Sequence, residues 1–491
     1  MPVAAAARRR LRALERHVAP DSAAAGEEES ASKPPRSTAA TLLSFPVCLA
    51  GISLEQALAS RGLWPRLRFP RSPAEIADDP QRFFELVRDH QLPWGEAAAL
   101  LPAGCELAEL SQLDGQTTEP DKNAVNTGLR LRYAAAGGAA GASGAVDVFV
   151  KYQCGRELQL LLQAIRNAAA PDACHREVRF YQRLAHRVPQ RVARPYFADA
   201  VHWCNRVCLV LEHLGDMEVV TDWQGGTQEQ LEAVAVSVAG MHAGWWGRTA
   251  VDEGTAWIPA RQGLDYANFV DGFIKKEPDW YKEIWAKLQD YFAALPVTLV
   301  HGDCRLGNMM FPHPSERTDG AAEGAAGVEE DGEAPLEVVF SDWEATNVGP
   351  ALWDIAYMST LSQEAEERRV RKPRMLELYL EALAEGGVVV GMDAAIEQLG
   401  LLQLVLFFVS SSVAKNALWS GHGNTTKDGR AWGWRVAQAV IDITETEEAR
   451  STLALALDLP VGHFEGLCTV CREGLKEALH LEQEEGTEHA P

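Results

Sequence analysis

The run HGDCRLGN at 301–308 places a carboxylate, Asp303, five residues before a side-chain amide, Asn308. An apolar segment, VTLV, leads into this run at 297–300, and another, NMMF, begins at its last residue. A short polar stretch between two apolar segments predicts a strand, a tight loop and a second strand. Both polar side chains must then lie on one short, rigid turn.

This spacing is that of a phosphoryl-transfer catalytic loop. In such a loop the Asp accepts the proton of an attacking hydroxyl, and the Asn holds a Mg²⁺ ion that neutralises charge on the transferring phosphate. A further acidic residue, Asp342, comes near the end of the apolar segment EVVFSDWE at 337–344. A kinase needs a second metal ligand there, where protein kinases have the Asp of DFG. We therefore predict that Asp303 is the catalytic base and that Asn308 and Asp342 bind Mg²⁺.

The letters at 342–344 are DWE, and the chain continues as NVGPALWDIAYM at 347–358. In these features it resembles the aminoglycoside phosphotransferase and choline kinase superfamily, in particular the CHK kinase-like and ecdysteroid kinase-like branches. The resemblance implies an α+β, protein-kinase-like bilobal fold, with a small antiparallel β-sheet N-lobe and a mainly helical C-lobe. It also implies that His301 and Asp354 support the catalytic loop.

Three strand-like segments predict the sheet of the N-lobe: CELAELSQLD (105–114), NTGLRLRYA (126–134) and VDVFVKYQ (146–153). Alternation in the third puts its valines on one face and Lys151 on the other. The loop around 114–128, where the superfamily binds nucleotide, is poor in glycine, which leaves the choice between ATP and another nucleotide open.

A helix is predicted over 172–184, with Asp172 as its cap and Glu177 in its first half. It resembles the E-x-x-F-Y signature of the superfamily. The resemblance implies an ion pair between Lys151 and Glu177 that directs the lysine onto the α and β phosphates of ATP. The alternative is a solvated lysine and an ordinary surface glutamate.

The segment RVCLVLEHLGD at 206–216 is an apolar strand that runs into Glu212 and Leu214. It resembles the hinge of kinase-like folds, where backbone groups bind the adenine ring, so Glu212 and Leu214 are predicted to bind ATP. The alternative is a plain buried strand that ends in a loop.

Other polar and aromatic residues receive no catalytic role from the sequence. His242 lies near the end of an amphipathic helix predicted over 228–247. A histidine at such a position is usually a buried core residue. An arginine on a loop is usually solvated, so Arg305 is left out of the site. Trp419, Trp432 and Trp434 permit an aromatic pocket for a cation or a flat ring, but a role in the core is favoured.

Composition predicts how the rest of the chain is organised. We expect a disordered leader or transit peptide at 1–40, an N-terminal extension at 41–104, the N-lobe at 105–215 and the C-lobe at 216–475. We also expect an acidic insert at 312–336 and an acidic tail at 476–491; the insert and residues 481–491 of the tail are too poor in apolar residues to fold. A cytoplasmic location is expected, with an organelle as the alternative if the leader is a transit peptide.

The net charge of −23 argues against a nucleic-acid partner, which needs a basic surface. The apolar stretch LGLLQLVLFFVSSSVA at 399–414 is shorter than the roughly 20 residues of a membrane span and predicts a buried helix. Single cysteines and one isolated CxxC, at 468–471, predict no structural zinc.

Together these features predict an ATP- and Mg²⁺-dependent phosphotransferase that acts on a hydroxyl of a small molecule. Two alternatives stay open. One is a catalytically silent, kinase-like protein that binds a nucleotide or metabolite, and the other is a protein kinase, which the lack of GxGxxG and APE disfavours. The identity of the substrate is not determined by these motifs.

Overall fold

The computed structural model describes residues 104–113, 124–135, 143–153, 176–201, 206–222, 224–247, 258, 270–271, 274–313, 336–420 and 427–488. The leader, nearly all of the extension, most of the acidic insert and the predicted cap Asp172 lie outside these residues. The chain divides into two compact units, one of residues 1–146, 150–174 and 199–208, and the other of 147–149, 175–198 and 209–491. The predicted domain boundaries stay predictions.

A five-stranded sheet has the strand order β1-β2-β3-β6-β5. Its strands are β1 (Cys105–Gln112), β2 (Ala124–Ala135), β3 (Gly144–Gln153), β5 (Pro195–Val201) and β6 (Arg206–Glu212). Strands β1 and β2 are antiparallel, with Leu110 opposite the fully buried Leu131. In β3, Val148 and Val150 are buried and Lys151 is half-buried, as the alternation predicts.

The chain after this sheet is mainly helical. Its helices, with one that precedes β5, are α1 (Arg176–Arg183), α2 (Gln228–Trp245), α3 (Asp279–Ala293), α4 (Leu352–Leu361), α5 (Ala365–Glu385), α6 (Met392–Ser420), α7 (Lys427–Thr444), α8 (Glu447–Leu457) and α9 (Val461–Glu488). An antiparallel sheet followed by a mostly helical part confirms the predicted α+β class.

Helix α2 illustrates why these segments are helical. The Thr227 hydroxyl accepts a hydrogen bond from the Gln230 amide, and the Gln230 side chain accepts one from the Thr227 amide. This capping box satisfies two donors that the helix start leaves unpaired. Leu231, Val234 and Val238 follow at helical spacing and are buried, so the helix is stabilised mainly by the core that it covers.

Helix α6 contains the longest apolar stretch of the chain. Residues Met392–Ser411 are long and apolar enough for a membrane span, with a mean hydropathy of 1.6, but 61% of them are buried inside the protein. Burial of this kind is that of a core helix, which agrees with the predicted buried helix.

Two short sheets position the predicted catalytic loop. Strands β9 (Met309–Pro312) and β10 (Val339–Phe340) are antiparallel, with Val339 opposite Met310, and form a hairpin. Strand β9 also pairs with β7 (Met217–Val219), and β10 pairs in parallel with β4 (Arg191–Val192). Strands β8 (Val297–Val300) and β11 (Asn347–Pro350) form a separate antiparallel pair.

The prediction that residues 481–491 do not fold is wrong for most of that segment. Helix α9 continues to Glu488. Its earlier turns are anchored by buried Phe464, Leu467 and Cys471. Extending a helix that is already nucleated adds one hydrogen bond per residue, and Glu, Leu, Lys, Gln and Ala all favour helix, so few apolar contacts are needed.

Candidate active site

The predicted catalytic loop lies between a fully buried strand and a short helical turn. It follows β8, passes through Gly302 and Asp303, and ends in a 3₁₀ turn at Leu306–Asn308 that leads into β9. Gly302 has a φ of +85°, and a Cβ at this position would lie 2.2 Å from the Ala345 carbonyl oxygen. Only glycine fits, because both the backbone conformation and the space exclude a side chain.

Asp303 and Asn308 are in direct contact. The Asn308 side-chain amide donates to the Asp303 carbonyl at 3.0 Å and to Asp303 Oδ2 at 2.8 Å. Arg305 Nε also donates to Oδ2, at 3.3 Å. The Asp303 side chain is 18% exposed. Because these donors all use Oδ2, they leave Oδ1 as the oxygen that a hydroxyl can approach.

Asp354 holds the backbone of the loop. Its Oδ2 accepts the His301 N–H at 2.8 Å, and its Oδ1 accepts the Gly302 N–H at 2.9 Å. The His301 ring lies 2.9 Å from the Ser341 carbonyl through Nε2, and its Nδ1 accepts the Asp303 N–H at 3.3 Å. These contacts hold the backbone of the loop, and the supporting role of His301 and Asp354 in catalysis stays a prediction.

His242 extends this support, although the sequence suggested only a core residue. Its Nε2 lies 3.2 Å from Asp354 Oδ2, and its Nδ1 lies 2.9 Å from the Tyr379 hydroxyl, all with no exposed surface. Burial, with the nearby Asp354 charge, raises the pKa of Tyr379 well above its usual value. The tyrosine therefore stays protonated. No local sequence signal links these residues, since His242 and Asp354 are 112 positions apart.

Cys304 points away from solvent within the loop. Burial raises the pKa of its thiol well above the usual value, and the charges of Asp354 and Asp303 raise it further. A protonated, buried thiol is a poor nucleophile, so Cys304 packs in the loop rather than reacting.

Asp342 follows β10 beside the catalytic loop. The Ser341 N–H and hydroxyl both donate to the Asn308 carbonyl, at 3.0 and 2.9 Å. Asp342 itself is left-handed, with a φ of 59°, and leads into a 3₁₀ turn at Trp343–Ala345. The hairpin thus joins the backbones on which the two predicted metal ligands lie.

Glu177 lies close to Asp342. The Trp343 ring stacks on Phe180 of α1 at 3.8 Å between centroids, which fixes α1 against the turn. One carboxylate oxygen from each of Glu177, Asp342 and Glu344 lies within 4.8 Å of the others. Such a set of oxygen donors fits a hard divalent cation such as Mg²⁺, which would also offset the repulsion between the carboxylates. Glu344 is the member that the sequence analysis missed.

The other predicted nucleotide ligands are Lys151, Glu212 and Leu214. Lys151 lies on β3 in the other compact unit, and its pairing with Glu177 stays a prediction. The Glu212 carboxylate accepts the Arg194 N–H at 3.1 Å and pairs with Arg191 at 3.4 Å. Adenine binding at this hinge would therefore involve the backbone of Glu212 and Leu214, and it stays a prediction.

Arg305 is not the solvated side chain that its loop position suggested. It is 22% exposed and contacts Asp303 and the buried Asp222. Its guanidinium also lies 5.1 Å from the centre of the Trp432 ring. Asp222 was missed because it is 83 positions from Arg305 and belongs to no motif.

Comparison with known families agrees with this geometry. Residues 139–318 match the phosphotransferase enzyme family (APH), and residues 282–389 match the ecdysteroid kinase-like family. Both matches include the loop from His301 to Asn308. The chain is thus similar to the APH phosphotransferases and to the ecdysteroid kinase-like proteins over these residues. No curated protein matches it by sequence.

Several solved structures resemble the chain at low identity. A choline/ethanolamine kinase family protein from Mesorhizobium loti is 14% identical, with 74% of this chain and 98% of that chain covered and a TM-score of 0.41. An ethanolamine kinase from Plasmodium vivax is 11% identical, with 73% and 88% covered and a TM-score of 0.42. The amicoumacin kinase hAmiN, in complex with AMP-PNP and Ca²⁺, is 13% identical, with 73% and 95% covered and a TM-score of 0.38.

Proposed function

We propose that this protein transfers the γ-phosphoryl group of ATP to a hydroxyl of a small molecule. The observation that carries the proposal is the contact between Asp303 and Asn308. It engages Asp303 Oδ2 through the Asn308 NH₂ group, so that Asp303 Oδ1 would be left for an acceptor hydroxyl and the Asn308 side-chain oxygen for a cation. That is the arrangement that direct phosphoryl transfer requires.

The residues act mainly by positioning and by charge. Asp303 orients the acceptor hydroxyl and takes its proton as the new O–P bond forms and the bond to the ADP leaving group breaks. Asn308, Asp342 and Glu177, with Glu344, would hold Mg²⁺, which neutralises charge on the phosphates when bound. Lys151 would bind the α and β phosphates, and the hinge backbone would bind adenine. Asp354 keeps the loop rigid through two backbone hydrogen bonds.

The test compares wild type with Asp303→Asn, which keeps the shape of the side chain and removes the base. Each protein is incubated with MgATP and a small-molecule extract, and mass spectrometry identifies metabolites that gain a phosphate. Asp279→Asn is the matched control, because that carboxylate is 92% exposed and pairs only with Lys282 among the described residues.

A product formed by wild type and the control, but not by Asp303→Asn, is the expected result. Binding of MgATP without any phosphorylated metabolite would refute the proposal and favour a silent member. Phosphorylation of peptides alone would favour a protein kinase.

A cytoplasmic location remains part of the proposal, and fractionation of cells with an antibody to the protein tests it.

A further inference from the structure

The Arg305 guanidinium lies between two carboxylates and over the face of an aromatic ring. Its Nε donates to Asp303 Oδ2 at 3.3 Å, and its Nη1 donates to Asp222 Oδ2. Its Cζ lies 5.1 Å from the centre of the Trp432 ring. This places a fixed positive charge directly beside the proposed catalytic base.

The partners of Arg305 are themselves held in place. The Asp222 side chain is 1% exposed, and its Oδ1 accepts the Gly307 N–H at 3.1 Å. The Asp222 carbonyl accepts a hydrogen bond from Arg435, which is fully buried and lies on the same helix as Trp432. Arg435 also pairs with Glu364. Ring and carboxylates therefore form a rigid frame around the guanidinium.

Arg305 stays charged in this frame. Burial alone would lower the pKa of its guanidinium, but the charges of Asp303 and Asp222 outweigh burial and raise that pKa above its usual value. The charge is therefore present at every physiological pH.

An aromatic face beside carboxylates is the chemistry by which proteins recognise ammonium groups. Here the guanidinium of the protein itself occupies that place. An acceptor hydroxyl must come within hydrogen-bonding distance of Asp303, so only one hydrogen bond and the carboxyl group separate it from Arg305. An ammonium group next to that hydroxyl would be repelled by the positive charge of Arg305. The Trp432 ring and Asp303 Oδ2, which could otherwise bind the ammonium group, are already in contact with the guanidinium.

We propose that the acceptor is a neutral or anionic hydroxyl compound, with no positive charge next to the hydroxyl that receives the phosphate. This inference rests on the proposed function and narrows its substrate class. A choline-like or amino-alcohol acceptor would instead require the Trp432 ring to bind the cation of the acceptor.

One arm of the test measures turnover. Wild type is assayed for ADP release with MgATP and either choline or 3,3-dimethylbutan-1-ol, which has the same shape without the charge. The expected kcat/KM is at least tenfold higher for the neutral alcohol. A kcat/KM for choline equal to or above that of the alcohol would overturn the inference.

The other arm measures binding and needs no turnover. Binding of tetramethylammonium is followed by calorimetry for wild type, Arg305→Ala and Arg305→Lys. Removing the guanidinium vacates the ring and Asp303, so at least tenfold tighter binding is expected for Arg305→Ala, with Arg305→Lys equal to wild type. Equal binding by all three proteins would overturn the inference.

Arg305→Ala leaves the buried Asp222 carboxylate without its guanidinium partner and can fail to fold. The double variant Arg305→Ala/Asp222→Asn removes that charge, and the same gain in tetramethylammonium binding is expected. Absence of ADP release with every acceptor would count against the proposed function, whereas the binding comparison decides the cation inference by itself.

Discussion

Replacing Asp354 by Asn tests whether one buried carboxylate holds the catalytic loop. Asp354 Oδ2 accepts the His301 N–H and Oδ1 accepts the Gly302 N–H, at 2.8 and 2.9 Å. Asparagine has the same shape but only one acceptor oxygen. In either orientation, its NH₂ group faces one of these two backbone N–H groups.

The expected loss in the free energy of unfolding follows from this unpaired backbone N–H group. A hydrogen bond to a charged group contributes about 1.5–3 kcal/mol, and a buried donor left unpaired costs about 1–3 kcal/mol. Asp354 has no exposed surface, so water cannot supply the missing acceptor. We expect Asp354→Asn to lower the free energy of unfolding by about 3 kcal/mol. A shift of about 1 Å in the loop would also lower kcat about 100-fold.

Urea unfolding followed by tryptophan fluorescence measures the change in free energy, and phosphorylation of the acceptor found by mass spectrometry measures kcat. Asp279→Asn makes the same chemical change at a side chain that is 92% exposed, so its free energy of unfolding should lie within about 0.5 kcal/mol of wild type. A similarly small change for Asp354→Asn would refute the reasoning, because the loop would then not depend on the carboxylate.

Two further predictions concern the same loop. Gly302→Ala should lower the free energy of unfolding by at least about 3 kcal/mol in urea, because its φ is +85° and the new Cβ would meet the Ala345 carbonyl. Gly391→Ala, where a Cβ meets nothing within 4 Å, is the control, and equal losses for both would contradict the steric argument. Cys304 should resist iodoacetamide at pH 8 and react after unfolding in urea, as read by peptide mass spectrometry, because burial raises the pKa of its thiol. The half-buried Cys105 should react in the folded protein, and rapid labelling of Cys304 there would contradict its burial.

Much of the local structure could be predicted from residue order. Strands β1, β2, β3 and β6, helix α2, the hairpin of β9 and β10 and the burial of α6 all agree with apolar periodicity and turn chemistry. Their type and burial depend mainly on the pattern of apolar and polar residues within each segment. The acidic tail was the exception, because its composition was weighed without the helix that it continues.

Partners that are distant in sequence could not be predicted in this way. Arg305 was expected to be solvated, yet it pairs with Asp222, and His242 was assigned to the core without its contact to Asp354. Glu344 was overlooked, although it lies beside Glu177 and Asp342. Each of these contacts depends on how helices pack, and no spacing rule encodes that packing.

The order of residues alone therefore determined the geometry of the loop, since Asp303 and Asn308, five positions apart, lie on a single turn where both side chains meet. Only the tertiary structure decided what surrounds that turn. Which carboxylate holds its backbone and which buried carboxylate fixes the Arg305 guanidinium beside it depend on contacts across 50 or more positions. Such contacts form when buried helices and strands exclude water, and that free energy belongs to the packed structure as a whole.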